Sequence, residues 1–386
     1  MDNRAIERVN AALLQWLLRL HSLTAGPNER YIMNDKDHLE MQPTPKFPTL
    51  LLAALVIPFI AGGLLLAQAP AAPAPSAAAE GQELPVHKIP NLGAGAEFYF
   101  SPDGTHLIGD AKGEGDTSFH VYTLAIDGTD IRRINDKGGD DACSFYFPDG
   151  KRIIWTSIKD HPELAASNYS NPSDYPQGAE LYTSNLDGSD VKRITNNKVY
   201  DAEVSIAPNG KWILFGSQRS GKMELWKSDI DGSNPTQITH LVSWEPGGSF
   251  LFRDGKTIIF RAWRSEDAKA NKKGLPMTLF TIQSDGTGLK QLTHDDGTNW
   301  SPFPAPDGHH YVFVKVLPPH NYEIFLGDLN SDKQVRLTYN DAFDGYPSIS
   351  PDGNWLVFTS TRGSTPGSHT TGIYLEDISS LHIGPQ

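Results

Sequence analysis

Cysteine is almost absent: Cys143 is the single one in 386 residues. That excludes an internal disulfide framework and any Cys-ligated zinc or iron–sulfur site. Basic charge is also in the minority, with 33 Lys and Arg against 46 Asp and Glu and a net charge of −13. No strongly basic surface can be built from this composition, so nucleic acid is not an expected partner. The chain has no Cys-x-x-Cys-His, Gly-x-Ser-x-Gly, Gly-rich phosphate loop or His-Glu-x-x-His. Haem attachment, a hydrolase nucleophile elbow, nucleotide binding and a zinc-peptidase helix therefore lose their usual signatures. What the chain does have is turn residues: 35 Gly and 28 Pro, more than average usage and too few for a disordered chain.

Long apolar stretches are scarce too. The one uncharged run, LLLAALVIPFIAGGLLLA over Leu50–Ala67, sits at the lower limit for crossing a bilayer, and Pro58, Gly62 and Gly63 weaken it as a helix. Small residues follow it at Ala67-Gln68-Ala69 and Ala77-Ala78-Ala79, the small-x-small pattern of a secretory cleavage site. Pro70 disfavours the first, which leaves cleavage near Ala79 or an uncleaved anchor. Met1, Met33 and Met41 are alternative starts, and from Met41 the segment reads as an ordinary signal peptide with Lys46 ahead of the apolar run. The expected organisation is an N-terminal segment 1–47, a signal peptide or anchor helix 48–69, an Ala/Pro spacer 70–85 and a folded domain 86–386. The only membrane contact expected is through 48–69, and the rest is expected to be periplasmic or extracellular.

Beyond residue 85 one word returns six times: SPDGTHLI, FPDGKRIIW, APNGKWILF, FRDGKTIIF, APDGHHYVF and SPDGNWLVF, with glycines at 104, 150, 210, 255, 308 and 353. A second word follows each (VYTLAIDG, LYTSNLDG, LWKSDIDG, LFTIQSDG, IFLGDLNS, IYLEDISS), and a third, such as DVKRIT or QVRLT, closes five of the units. Pro-Asp-Gly between apolar runs is hairpin chemistry, since Pro sets φ and Gly accepts the left-handed position. The runs behind it, IIW, ILF and YVF among them, are β-branched and aromatic, as strands buried between stacked sheets must be. Four antiparallel strands, A to D, in about fifty residues is the size of a propeller blade. The sixth unit lacks a D word before Gln386, while Val86-His87-Lys88-Ile89 matches VKRI ahead of the first strand A. The fold expected is an all-β, six-bladed propeller of four-stranded antiparallel blades, closed by its N-terminal strand and preceded by one apolar export or anchor helix.

These words, SPDG…LVF, DLDG and RLT in six copies, resemble the β-propeller repeats of TolB, the periplasmic component of the Tol–Pal envelope system. The resemblance covers 85–386 and implies an exported propeller that binds an envelope protein or peptide. The α/β domain that precedes the propeller in that family, and carries much of its TolA contact, is replaced here by the apolar segment and spacer. Similar repeats occur in propellers attached to serine peptidases. Two further functions thus stay open: a polysaccharide lyase or hydrolase with a glycan as partner, and a regulatory propeller of a peptidase system. No catalytic residue is assigned.

Strand parity indicates which face does the work. The A–B and C–D turns are short and uniform; the long loops, Ser157–Gly178, Arg264–Pro276 and Arg362–Thr371, all join B to C and share a face with the D–A connections. Length variation gathered on one face of a repeat fold marks its binding surface. Nine positions before each repeat glycine stand Gly95, Asp141, Asp201, Pro246, Asn299 and Asp344, and two positions later Glu97, Cys143, Glu203, Gly248, Ser301 and Tyr346. Pseudo-symmetry would set these as an acidic ring at the channel mouth, with Trp244, Glu245 and Trp300 beside it and His240 and His294 in equivalent places after the third word. Such a mouth focuses a negative field on a basic peptide, a sugar or a cation such as calcium, although Asp and Asn there also serve to cap tight turns. No resident cofactor is expected, and the metal question is left open. His309-His310 reads as strand-start packing rather than a metal site, and Cys143 as a small buried residue.

Overall fold

The computed structural model describes residues 82–386 except 136–138, 162–173, 271–273, 366–367 and 369. The segment 1–47, the apolar run 48–69 and most of the spacer lie outside the described residues. Among those that are described, no helix is long and apolar enough to cross a membrane.

The Pro-Asp-Gly words form tight turns. All six repeat glycines have positive φ, from 64° to 89°, and each donates its N–H to the carbonyl three residues back, as Gly150 does to Phe147 at 2.9 Å. The turn carboxylate or amide caps the next strand: Asp149 Oδ1 accepts from Lys151 N at 2.9 Å and Asn209 Oδ1 from Lys211 N at 3.0 Å. Short turns force neighbours in sequence to pair, and each unit folds into a four-stranded antiparallel sheet with its strands in chain order.

Blade one holds β2 (Ala94–Phe100), β3 (His106–Lys112), β4 (His120–Ala125) and β5 (Arg132–Arg133). Blade two holds β6 (Asp141–Tyr146), β7 (Arg152–Ser157), β8 (Glu180–Asn185) and β9 (Lys192–Arg193). In blade three come β10 (Asp201–Ile206), β11 (Trp212–Ser217), β12 (Glu224–Asp229) and β13 (Thr236–Gln237). Blade four has β14 (Trp244–Leu251), β15 (Thr257–Arg264), β16 (Thr278–Gln283) and β17 (Lys290–Gln291), with a short helix α1 (Ser265–Lys269) in its B–C loop. Blade five has β18 (Asn299–Pro304), β19 (His310–Leu317), β20 (Asn321–Asp328) and β21 (Ser331–Arg336). Blade six has β22 (Asp344–Ile349), β23 (Trp355–Ser360) and β24 (Gly372–Asp377), and its fourth strand is β1 (Val86–Lys88) from the other end of the described chain.

Ring closure follows the reading of the missing D word. β1 lies antiparallel to β24 with Val86 opposite Glu376 and Lys88 opposite Tyr374. Ile89 N–H extends the ladder to Ile373 O at 2.8 Å, and Asp377 N–H to Pro85 O at 2.9 Å. The outermost strands of blades one to four are only two residues long, and the third word explains how they suffice. Its threonine continues the ladder through its hydroxyl: Thr195 Oγ1 accepts from Leu181 N at 2.9 Å, Thr239 from Leu225 N at 2.8 Å and Thr293 from Leu279 N at 2.9 Å, while in blade one Asn135 Oδ1 accepts from Val121 N at 3.2 Å; Thr338 repeats the bond to Ile324 N at 2.9 Å in blade five. Between blades the apolar runs interdigitate. Ile154 and Leu181 of blade two meet Val204, Ile206, Ile213 and Phe215 of blade three, and Phe98 and Leu107 of blade one meet Val357, Ile373 and Leu375 of blade six.

Candidate functional site at the channel mouth

Every innermost strand breaks register at one place. The ladder slips between Gly95 and Phe98, Ala142 and Phe145, Ala202 and Ser205, Gly247 and Phe250, Trp300 and Phe303, and Gly345 and Ser348. In blades two to six the slip carries a residue in the left-handed region: Cys143, Glu203, Gly248, Ser301 and Tyr346, with φ between 49° and 56°. Four of the five have a side chain there, a conformation that costs on the order of 1 kcal/mol or more and tends to collect at functional sites. These are the residues seven before the repeat glycine, so the repeat places one such position per blade beside the channel, with a side chain in every blade but the fourth.

The inserted residue also reverses the alternation of side chains. Positions nine and five before the glycine, which plain alternation would put on one face, fall on opposite faces. The outer position turns into its own blade: Asp141, Asp201, Asn299 and Asp344 are at most 2% exposed. Asp201 accepts from Ser217 Oγ at 2.5 Å, Asn197 Nδ2 at 2.6 Å and Arg219 Nη2 at 2.6 Å. Asp344 accepts from Asn340 Nδ2 at 2.7 Å and Arg362 Nη2 at 2.5 Å. Asp141 meets Asn135 and lies 3.4 Å from His120 Nδ1, and Asn299 Nδ2 donates to Asp295 at 3.1 Å. Gly95 and Pro246 bring no polar side chain. These side chains thus hold the D–A connections in place, and the charges of Asp201 and Asp344 are met inside the blade by Arg219 and Arg362.

The inner position closes the channel. Tyr99, Phe145, Phe250 and Phe303 come from blades one, two, four and five, yet their ring centroids lie 5.0–6.2 Å apart. Tyr99 and Phe250 belong to opposite blades, so the rings meet across the axis. Ser205 and Ser348 complete the level, each donating to a neighbouring backbone carbonyl, Ser249 O at 3.1 Å and Phe98 O at 2.9 Å. The mouth is therefore a cup with an aromatic floor, not an open pore. Aromatics five before the repeat glycine in four of six units were the sequence signal for this floor.

Above the floor the bulge residues divide into two walls. On one side Glu97 faces Cys143 and Tyr99, and burial raises the Glu97 carboxyl above its usual range. Burial also pushes the Cys143 thiol well up, so at neutral pH it is a protonated, poorly nucleophilic group. Asp110 anchors the neighbouring bulge by accepting from Cys143 N at 2.9 Å and Ser144 Oγ at 3.2 Å, and burial raises its carboxyl well above the ordinary value. Next to them Glu203 is bound to Arg261, whose Nη2 donates to Oε1 at 2.6 Å, while Gly248 N donates to Oε2 at 2.8 Å. A side chain at 248 would push on this arginine: φ is +54°, and a Cβ would stand 1.9 Å from Arg261 Nη1. Tyr175, at the end of the long blade-two loop, is 4% exposed and stacks on Tyr200 with centroids 4.3 Å apart.

The other wall is aromatic and half-buried. Trp300 meets Tyr346 edge-on at 4.7 Å and Phe343 at 6.3 Å, and Phe343 meets Tyr322 at 5.1 Å. Glu245 is half-buried beside this mouth. Trp244 instead packs on Phe280 at 5.4 Å, under the Arg264 guanidinium at 4.5 Å. His240 and His294 are exposed. Among the described residues neither joins a group of three potential metal ligands; the group that forms is Asp307, His309 and His310, on the opposite face.

Six four-stranded blades carrying this repeat define a TolB-like β-propeller. No family model matches the chain. It is 26% identical over 139 residues to a TolB homolog of Chlorobium chlorochromatii, covering 36% of this chain and 28% of that one. The chain spans between about a quarter and about half of the length of the curated relatives it matches. A solved TolB of Acinetobacter baumannii superposes with a TM-score of 0.51 at 19% identity, covering 74% of this chain and 64% of that one. An oligogalacturonate lyase of Vibrio parahaemolyticus superposes with a TM-score of 0.51 at 11% identity, covering 78% and 99%. At these identities the two structures share the fold.

Proposed function

We propose that the chain is an exported, envelope-associated propeller that binds a protein partner through its loop-rich face. One observation carries this reading: the half-buried aromatic wall of Trp300, Phe343, Tyr346 and Tyr322, with Glu245 beside it and Glu97 on the other wall of the same mouth. Rings already held by their neighbours lose little freedom on binding and offer large contact area, as interface hot spots do. The carboxylates beside them favour a basic or hydrogen-bond-donating segment of the partner. Export rests on the uncharged run Leu50–Ala67 and the spacer behind it, and the TolB-like repeats support an envelope setting.

The test is crosslinking in cells with a tagged full chain, followed by identification of what is recovered. The wild-type chain is expected to recover a discrete partner, and Trp300→Ala with Tyr346→Ala should lose at least roughly tenfold of it, the scale of one hot-spot pair. Undiminished recovery by that variant would remove the aromatic wall from the reading. A second reading, a glycan-acting propeller, is supported by the same wall, since Trp300 and Tyr346 present ring faces and edges on which a sugar can stack. Binding or cleavage across a glycan panel, lost in the same variant, would favour it over the protein partner.

A further inference from the structure

The face opposite the mouth is built from uniform hairpins, and one of them departs from the rest. In blade five the turn residue is Asp307, and the two positions after Gly308 are His309 and His310, where the other repeats have Thr-His, Lys-Arg, Lys-Trp, Lys-Thr and Asn-Trp. Asp307 Oδ1 caps the turn as its counterparts do, accepting from His309 N and His310 N at 3.0 Å each. Oδ2 is left to the imidazoles: it lies 2.6 Å from His310 Nδ1 and 3.5 Å from His309 Nε2. The ring centroids of the two histidines are 4.2 Å apart. The three potential ligand atoms lie within 4.8 Å of one another.

A second feature points the same way. The other nitrogen of His309, Nδ1, is 3.1 Å from Asp328 Oδ1 at the end of β20. A carboxylate bonded to Nδ1 keeps the proton there and leaves the Nε2 lone pair facing Asp307. This is the carboxylate–histidine arrangement that orients imidazoles for a metal ion. Asp307 is itself rigid: its side chain is 1% exposed, and its N–H donates to Ile383 O at 3.2 Å.

We propose that Asp307, His309 and His310 form a binding site for a divalent transition-metal ion of the zinc class, with Asp328 as the positioning residue for His309. Two nitrogens and one carboxylate oxygen suit that class, and ligand bonds of about 2.0–2.2 Å require neighbouring donors roughly 3.3–3.6 Å apart. Asp307 and His309 already have that spacing at 3.5 Å, and Asp307 and His310 must open from 2.6 Å by about 1 Å. The fourth position faces solvent, because His309 is 36% exposed, and takes water or a ligand from a partner.

The experiment is a zinc titration of the full chain, purified without a polyhistidine tag and stripped with chelator, read by calorimetry and by metal analysis after dialysis. One ion per chain with a Kd at or below about 10 μM is expected, together with a rise in melting temperature on loading. His309→Gln should weaken binding at least roughly 100-fold, and Asp328→Asn by about 10–100-fold. His309 is surface-lying, so its variant should keep the fold. The paired control, His240→Gln with His294→Gln, should leave binding unchanged. Cobalt substitution adds a direct readout, visible absorption of a four-coordinate ion that vanishes in His309→Gln. Absence of stoichiometric binding, or binding that survives His309→Gln together with His310→Gln, would overturn the site.

Discussion

Two junctions between blades carry the same chain of side chains, and a third element distinguishes them. Leading from blade two to blade three, Glu180 accepts from Arg193 at 2.9 Å and Asn197 N at 2.5 Å, Asn197 donates to Asp201 at 2.6 Å, and Asp201 pairs with Arg219 at 2.6 Å. Leading from blade five to blade six, Glu323 accepts from Arg336 at 2.6 Å and Asn340 N at 3.1 Å, Asn340 donates to Asp344 at 2.7 Å, and Asp344 pairs with Arg362 at 2.5 Å. The roles match residue for residue. The second junction adds Glu83, ahead of β1, whose Oε1 accepts from Arg362 Nη2 at 2.5 Å and Tyr339 N at 3.3 Å. The repeated part is therefore scaffold, and Glu83 is what ring closure contributes. The comparison also explains why Asp201 and Asp344, so close to the mouth, do not give it charge: each is buried against its own arginine.

The sharpest way to break the comparison is to remove closure alone. A chain beginning at Pro90 loses Glu83 and β1, whereas one beginning at Gln82 keeps both. The shorter chain gives up roughly four backbone hydrogen bonds, the fully buried Ile89 and the partly buried Leu84 and Val86, so it should be less stable by on the order of 5 kcal/mol. Thermal and denaturant unfolding of the two truncations measures the difference. Equal midpoints would mean that another strand closes blade six.

The arginines come next. Arg219→Met and Arg362→Met each leave an aspartate of 0% exposure without its cation, a loss of about 3–5 kcal/mol when a buried pair is broken from one side. Arg362→Met should be the worse of the two, because Glu83 loses its partner as well. Adding Asp201→Asn to the first or Asp344→Asn to the second should recover part of the loss. Equal losses at the two junctions would make Glu83 a bystander.

How far this was legible depends on the length scale of the signal. The blades, the hairpins and the closing strand could be read because each is written in local words, and turn chemistry at Gly104 or Gly353 acts within four residues. The D-strand threonines were visible as a repeated letter, but their hydroxyl bonds to Leu181 or Ile324 need the folded sheet. At the mouth, strand parity failed at one residue: the bulge at Glu203 or Tyr346 reverses alternation, and no local word announces it. Asp141, Asp201 and Asp344 were thus expected together with Glu97 and Glu203 and instead point elsewhere. The floor of Tyr99, Phe145, Phe250 and Phe303 is formed by residues from opposite sides of the ring, which only closure brings together.

The smallest effect separates the junctions by pH. Glu376 lies in β24, the strand that β1 pairs with, at the position held by Ser184 in blade two and Ser228 in blade three, opposite the apolar run of strand B. It is 0% exposed, and its two oxygens accept no well-formed hydrogen bond among the described residues. Burial, and then the Glu83 carboxylate, push its pKa well above the ordinary glutamate range. The folded protein therefore holds this proton more tightly than the unfolded chain does. That contribution to stability is complete below the unfolded pKa of about 4.3 and is lost as pH rises through the folded value. Glu376→Gln removes the titration while keeping the shape. Its melting curve should coincide with the wild type near pH 4.5 and exceed it as pH rises to 8, by on the order of 1 kcal/mol, or about 2–4 °C for a domain of this size. Ser184→Ala, the matching change in blade two, should shift stability equally at both pH values, because no proton is linked to it. A Glu376→Gln chain that loses stability at pH 8 would mean that the carboxylate is charged and satisfied there, most directly by Arg362, and closure would then rest on an ion network shared by Glu83, Asp344 and Glu376.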